Sequence, residues 1–222
     1  MNPALRASAA HVFVGALDAI SLSKDDTHHL FRVLRLRDGE SITVSDGRGG
    51  WQPCTVVGNS VVPAGDVIVE PADPSLTIAA AIPKGDRVEW MVQKLTELGV
   101  TEIVFMHCER SVVRWKPDRG THQLDRLTRV AREAAMQSRR VRLPQLRGPV
   151  EFAEAAALSG AVIADPDGDA AGTPNVVLIG PEGGFTDAER QLCPRSIRLA
   201  PGILRVETAA VAAAAILGRD GR

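Results

Sequence analysis

Two glycine-rich segments carry residue types and spacings suited to ligand chemistry. The first reads Ile179-Gly180-Pro181-Glu182-Gly183-Gly184-Phe185. It follows the apolar run Val176-Val177-Leu178 and precedes Thr186-Asp187-Ala188-Glu189, a capping-box signature. The segment therefore leaves the C-terminal end of a buried strand and enters a capped helix, which is where ligands bind in open α/β sheets. Its glycines let backbone amides approach a ligand without side-chain obstruction. The Gly-Lys-Ser/Thr ending of a phosphate-binding loop is absent, and so is G-x-G-x-x-G, so phosphate and nicotinamide binding have little support. A tight strand-to-helix turn without a ligand is the competing reading of the glycines.

The second segment reads Leu199-Ala200-Pro201-Gly202-Ile203-Leu204-Arg205-Val206-Glu207-Thr208-Ala209. Again a strand ends in a Pro-Gly turn and leads into a helix. Arg205 and Glu207 fall where the loop joins that helix. Glu207 and Thr208 lie near its start, where a carboxylate or hydroxyl can cap backbone amides. Local sequence leaves capping and substrate contact both open for Glu207.

Other chemistry has less support. Cys54, Cys108 and Cys193 are odd in number, widely spaced and outside any C-x-x-C, which argues against a disulfide framework or zinc site and fits a reducing cytoplasm. His107 and Cys108 are adjacent, but neighbouring strand residues point to opposite faces and do not easily share one ion. No metal site is expected.

The elements that must position these loops follow from hydrophobic patterning. Residues 1–72 read as β-rich, with strands over 11–14, 41–44, 51–57 and 66–70 and a turn at Asp46-Gly47-Arg48-Gly49-Gly50, a pattern of small barrels. Residues 71–75 read as a linker. Beyond them strands and helices alternate. Strands are expected at 76–82, 101–106, 161–164, 176–179 and 196–199, and helices at 87–98, 121–138 and 208–217, with a short capped one from Thr186. That alternation predicts an α/β domain with a mainly parallel sheet over residues 73–222. The chain has 222 residues, 45% apolar and 24% charged, with a net charge of −1. This excludes dominant disorder and allows one large domain or two small ones. No apolar run reaches membrane-spanning length, and residues 1–6 show no secretory apolar stretch.

The neutral total hides an asymmetry. Residues 109–147 contain eleven basic residues, Arg110, Arg114, Lys116, Arg119, Arg126, Arg129, Arg132, Arg139, Arg140, Arg142 and Arg147, against four acids. That segment is +7, so the remainder of the chain is −8. Arg132, Arg139 and Arg140 are candidates for phosphate contacts, with Arg110 and Arg114 in the same run, and Trp115 is a candidate for stacking on a base. Arg32, Arg35 and Arg37 form a second basic stripe in the N-terminal region. A solvated helix face with scattered ion pairs is the alternative.

Taken together, these residues resemble the RsmE family of ribosomal RNA uridine methyltransferases, within the SPOUT superfamily. The resemblance rests on His29-Leu30-Phe31-Arg32-Val33-Leu34-Arg35, Pro83-Lys84, Gln93-Lys94-Leu95-Thr96-Glu97-Leu98-Gly99-Val100, Glu109-Arg110-Ser111, Gln137-Ser138-Arg139-Arg140, Leu143-Pro144 and the two loops, in order along nearly the whole chain. It implies a small PUA-like β-barrel, RNA-binding, over 1–72, and a SPOUT α/β methyltransferase domain with a C-terminal trefoil knot over 73–222. It implies S-adenosyl-L-methionine as cofactor, a homodimer, and methylation of the N3 position of a uridine in 16S ribosomal RNA of the small subunit. By the same resemblance Leu178, Ile179, Gly180, Pro181, Glu182, Gly183, Gly184, Leu199, Ala200, Pro201, Gly202, Ile203, Leu204, Thr208 and Ala209 line the cofactor pocket, and Arg205 and Glu207 are catalytic candidates. The chain departs from the family at three positions. Ala200 stands for the usual Gly, Val206 for Thr and Met136 for Glu. The rival readings are another SPOUT RNA methyltransferase acting on transfer RNA or a ribose 2′-hydroxyl, a non-catalytic RNA-binding ribosome-assembly factor, and a nucleotide-binding enzyme that uses the glycine loop for phosphate.

Overall fold

The computed structural model describes residues 2–170 and 172–218, without the side chains of 117–119 and 170. The chain forms two compact units, Met1–Ala72 with Arg132–Leu143, and Asp73–Ala131 with Pro144–Arg222.

The first unit is a five-stranded sheet in the order β1 (Ala10–Phe13), β2 (Ser41–Ser45), β3 (Gly50–Val57), β4 (Ser60–Pro63), with β5 (Ile68–Val69) also on β3. β1 and β2 are parallel, and the other pairs are antiparallel. Helix α1 (Pro3–Ala7) precedes the sheet. The β1–β2 connection contains α2 (Lys24–His28) and a π-helical turn, His29–Val33. The Asp46 turn behaves as its sequence predicts. Asp46 Oδ1 accepts the N–H groups of Arg48 (2.7 Å) and Gly50 (3.0 Å), and Gly47 and Gly49 take positive φ. Val12, Leu30, Ile42, Val44, Cys54 and Val56 form the core. The basic stripe does not lie on a strand: Arg32 is in the π-helical turn and Arg35 is left-handed, at φ 57°.

The second unit is a six-stranded, fully parallel sheet in the order β11-β9-β10-β6-β7-β8. The strands are β6 (Thr77–Ala81), β7 (Glu102–His107), β8 (Gln145–Glu151), β9 (Ala161–Ala170), β10 (Val176–Ile179) and β11 (Ser196–Arg198). The central ones are apolar on both faces, as parallel strands between helix layers must be. Ile78, Ala80, Ile103, Phe105, Val177 and Ile179 point to one core, while Ala79, Ala81, Val104, Met106, Val176 and Leu178 point to the other. Helices α3 (Arg87–Glu97), α4 (Pro117–Gln137) and α7 (Val206–Leu217) supply Met91, Leu95, Leu127, Ala210 and Ala213 to the first core. α5 (Phe152–Ala156) supplies Phe152 and Ala155 to the second. The short helix α6 (Asp187–Leu192) opens with the predicted capping box, Thr186 and Glu189 bonding reciprocally. Strands β4 and β8, helices α1, α2 and α5 and the π-helical turn are additions to the sequence reading.

Candidate functional site

The loops after β10 and β11 converge on one cavity of about 310 Å3 in the second unit. Ile179, Gly180, Pro181, Glu182, Gly183, Gly184 and Phe185 form one wall, and Leu199, Ala200, Gly202, Ile203 and Leu204 form another, with Val206 and Ala209 from α7 between them. Glycine is required for this geometry. A Cβ on Gly180 would press on the Phe185 ring at 3.0 Å, and Gly184 sits at φ +69° with open space beside it. The Arg110 guanidinium donates to the Gly183 carbonyl at 2.9 Å and pins the first loop from outside. Buried Glu189 fixes its far end, accepting from the N–H groups of Glu109 (2.8 Å) and Thr186 (2.9 Å).

A third wall comes from β9, and sequence reasoning missed it. Ile163 pairs with Ser196, yet the next residue of β11, Ile197, pairs with Asp169. Residues 164–168 therefore bulge out of the ladder, and Ala164, Asp165, Pro166 and Asp167 line the cavity. Asp165 is 5% exposed and ion-paired with Arg190 of α6, which also lines the cavity. Its Oδ1 accepts the N–H of Asp167 at 2.9 Å. Gly168 closes the bulge, since a Cβ there would meet the Ile197 backbone at 2.7 Å. The signal was present as Asp165-Pro166-Asp167-Gly168, a turn sequence directly after an apolar run.

The remaining expected site residues lie elsewhere. Leu178 is fully buried in the second core and does not reach the cavity, because its neighbour Ile179 takes the facing position. Pro201 and Thr208 are exposed outside the lining. Arg205 is the exposed N-cap residue of α7, and its side chain makes no capping bond. Glu207 is buried in the first turn of α7, behind the lining residues. Its Oε1 accepts from Arg87 at 3.3 Å, while Oε2 is buried without a hydrogen-bond partner among the described residues. Arg87 also lies 3.9 Å from Glu182 of the glycine loop. It thus links the start of α3 to both loop segments, through a partner 120 positions away in sequence that no local pattern reveals.

The basic residues divide. Arg132 donates to both oxygens of Asp26 (3.0 and 2.8 Å) and to the Phe13 carbonyl (3.0 Å). Arg139 donates to the carbonyls of Met136 (3.0 Å), Ser8 (3.0 Å) and Ala9 (3.3 Å), and burial lowers its pKa. The Arg140 carbonyl accepts from His11 Nε2 at 3.0 Å. Arg114 donates to the Cys108 carbonyl at 2.8 Å. Arg126 pairs with Glu89, and Arg147 with Glu102 and Glu154. Much of the +7 run therefore ties the fold together, and the side chain of Arg119 lies outside the described residues. Arg32, Arg35 and Arg37 differ: all three are exposed, and their guanidinium groups have no partner among the described residues. Met136, where the family has Glu, packs against the apolar core of the first unit.

The cysteines are inert by environment. Burial pushes the Cys108 thiol up to about 12 and the Cys54 thiol up to about 11. Among the described residues no group of three or more His, Cys, Asp or Glu is arranged to hold a metal ion, and no helix is long and apolar enough to cross a membrane.

A fully parallel sheet whose C-terminal loops wall a single cavity, joined to a small β unit, defines the class, and known proteins match it on both counts. An RNA methyltransferase domain matches residues 70–218, and an RNA methyltransferase PUA domain matches residues 22–59. The ribosomal RNA small subunit methyltransferase E of Mycobacterium tuberculosis is 31% identical, over 87% of this chain and 84% of that protein. A methyltransferase of Legionella pneumophila, solved in complex with the bound cofactor SAM, superposes with a TM-score of 0.82 at 27% identity, over 95% of this chain and 97% of that one. The ribosomal RNA small subunit methyltransferase E of Neisseria gonorrhoeae, bound to S-adenosyl methionine, superposes with a TM-score of 0.79 at 27% identity, over 95% and 97%. The chain belongs to the ribosomal RNA small subunit methyltransferase E family.

Proposed function

We propose that the protein transfers a methyl group from S-adenosyl-L-methionine to the N3 position of a uridine in 16S ribosomal RNA. The observation that carries this reading is the three-walled cavity at the bulge of β9 and the C-terminal ends of β10 and β11. Its size lies at the lower end of the range for small-molecule sites, and it joins apolar walls to open backbone at Gly184 and Gly202. Leu199, Ile203 and Leu204 would pack on an adenine, and the backbone of 180–184 and 199–204 would meet its polar edge. The cofactor supplies a methyl group made electrophilic by a sulfonium, so the protein's task is alignment and proton management.

Uridine N3 carries a proton between two carbonyls. When the new N–C bond forms, the methyl–sulfur bonding pair stays on sulfur and the N3 proton must leave. Arg205, exposed beside the cavity and without an ion-pair partner among the described residues, would favour the uridine anion. Glu207 lies behind the lining, with Oε1 held by Arg87 and Oε2 without a hydrogen-bond partner among the described residues, and would orient the base through Arg87 or accept its proton by way of one water. The exposed Arg32, Arg35 and Arg37 would contact phosphates. The finer features of the family complete this reading: closure of the N-terminal sheet as an RNA-binding PUA-like barrel, a knotted C-terminal segment, a cytoplasmic homodimer, and a second domain over 73–222 that carries both cofactor and dimer contacts.

Mapping modified nucleotides in ribosomal RNA with and without the protein tests the reaction. Loss of one N3-methyluridine is expected, and no change in that base refutes it. In purified reactions Glu207→Gln and Arg205→Ala are each expected to slow transfer by about 100-fold or more with donor affinity within about threefold. Full transfer by both variants removes their catalytic roles.

A further inference from the structure

The bulged wall of β9 makes the cavity electrostatically lopsided. Asp165, Asp167, Glu182 and Arg190 are its charged lining residues. Arg190 is paired with Asp165, and Glu182 lies 3.9 Å from Arg87. Asp167 is the lining carboxylate left without a cationic partner among the described residues. Its position is nonetheless fixed. The backbone N–H of Asp167 is held by the buried carboxylate of Asp165, which Arg190 anchors in turn, and Gly168 permits the chain to re-enter the ladder. The wall therefore holds a solvated negative charge in place by contacts that do not use the Asp167 side chain.

Charge is also what changes during the proposed reaction. The methyl donor is cationic at sulfur, and the thioether left after transfer is neutral there and lacks the methyl group, while the rest of the two molecules is identical. We infer, resting on the methyl-donor reading above, that Asp167 is a specificity-determining residue that favours the sulfonium form over the spent product. Asp165 and Arg190 act through it as positioning residues. The device admits the charged donor and weakens retention of the product, which differs in shape only by the missing methyl group. Because Asp167 is on an open wall and screened by water, the expected preference is about three- to tenfold.

Calorimetry with S-adenosyl-L-methionine and S-adenosyl-L-homocysteine on the full chain reads this directly. Asp167→Asn is expected to weaken binding of the first by about three- to tenfold and to leave the second unchanged. Asp167→Glu is expected to keep the wild-type ratio. Asp169→Asn, on the same strand but lining a different cavity, is expected to change neither affinity. Equal loss of both ligands in Asp167→Asn would mean that the carboxylate reads the shared ammonium group, and it overturns the inference. So does no change in either, or the same ratio change in Asp169→Asn. Failure of the wild-type chain to bind the donor at all refutes the methyl-donor reading itself, an outcome distinct from these.

Discussion

Replacing Arg132 with Ala separates two roles that its charge alone does not distinguish. Its guanidinium is a clamp: two bonds to the Asp26 carboxylate, one to the Phe13 carbonyl, and a position 5.8 Å above the Phe13 ring. Asp26 is 2% exposed and also accepts from the Ser23 hydroxyl at 2.6 Å. Removing one partner of a buried pair costs about 3–5 kcal/mol, because the other charge is left uncompensated. The Arg132 side chain is 31% exposed, so water can take over part of its role, and about 2–3 kcal/mol is the better figure. For a chain of this length that is a fall in melting temperature of roughly 4–12 °C. Asp26→Asn should destabilise similarly, and the double variant should lose less than the sum, with a coupling of about 1 kcal/mol or more. Thermal and urea unfolding measure both. A phosphate contact behaves differently: Arg132→Ala would leave stability unchanged and reduce the salt slope of RNA binding by about 0.7–0.9. A stability loss below about 0.5 kcal/mol, or strict additivity with Asp26→Asn, refutes the clamp.

Two more expectations follow from buried groups and from the bulge. His11 is buried between the Thr43 hydroxyl and the Arg140 carbonyl, and burial lowers its pKa from 6.5 to about 4. Between those values the unfolded chain binds the proton and the folded chain does not. The contribution of His11 is therefore complete above pH 6.5 and is lost as pH falls toward 4, by up to about 3 kcal/mol. Unfolding midpoints measured across that range should show the slope, and His11→Gln should flatten it. Gly168→Ala should cost about 1–3 kcal/mol and weaken donor binding, because its Cβ would meet the Ile197 backbone; Gly15→Ala, with nothing within 4 Å, should do neither. Melting curves with and without the donor check both variants.

The site loops were legible because each is a local pattern. An apolar strand, a glycine turn and a capping box are contiguous from Val176 to Glu189, and the structure places them as the sequence implies. The parallel sheet was legible for the same reason, since runs such as Thr77–Ala81 are apolar on both faces. Strand β8 was not. Gln145–Glu151 contains Arg, Gly and Pro and is half-buried at a sheet edge, so it carries neither an apolar run nor a clean alternation. The role of Arg132 was not legible either, because its partner Asp26 lies 106 positions earlier and a charge count is blind to pairing. Leu178 and Ile179 show the finest limit. Both belong to the same apolar strand, and only the direction of the pleat decides which one meets the cavity.

The first unit takes its final segment from far along the chain. Residues 132–143 bring Arg132 to Asp26, the Arg140 carbonyl to His11, the Val141 carbonyl to the Ser45 hydroxyl and the Gly49 N–H, and Arg142 to the Glu70 carbonyl. During synthesis on a ribosome the chain emerges in order. At about 5–20 residues per second, the first 72 residues wait roughly 4–14 s for the segment ending at Leu143. Throughout that interval Asp26 has Ser23 but not Arg132, His11 has Thr43 but not the Arg140 carbonyl, and the β unit is an unfinished nascent chain. Its completion waits on the end of α4 and the segment after it, so the first unit is finished only after β6, α3 and β7 of the second have been made.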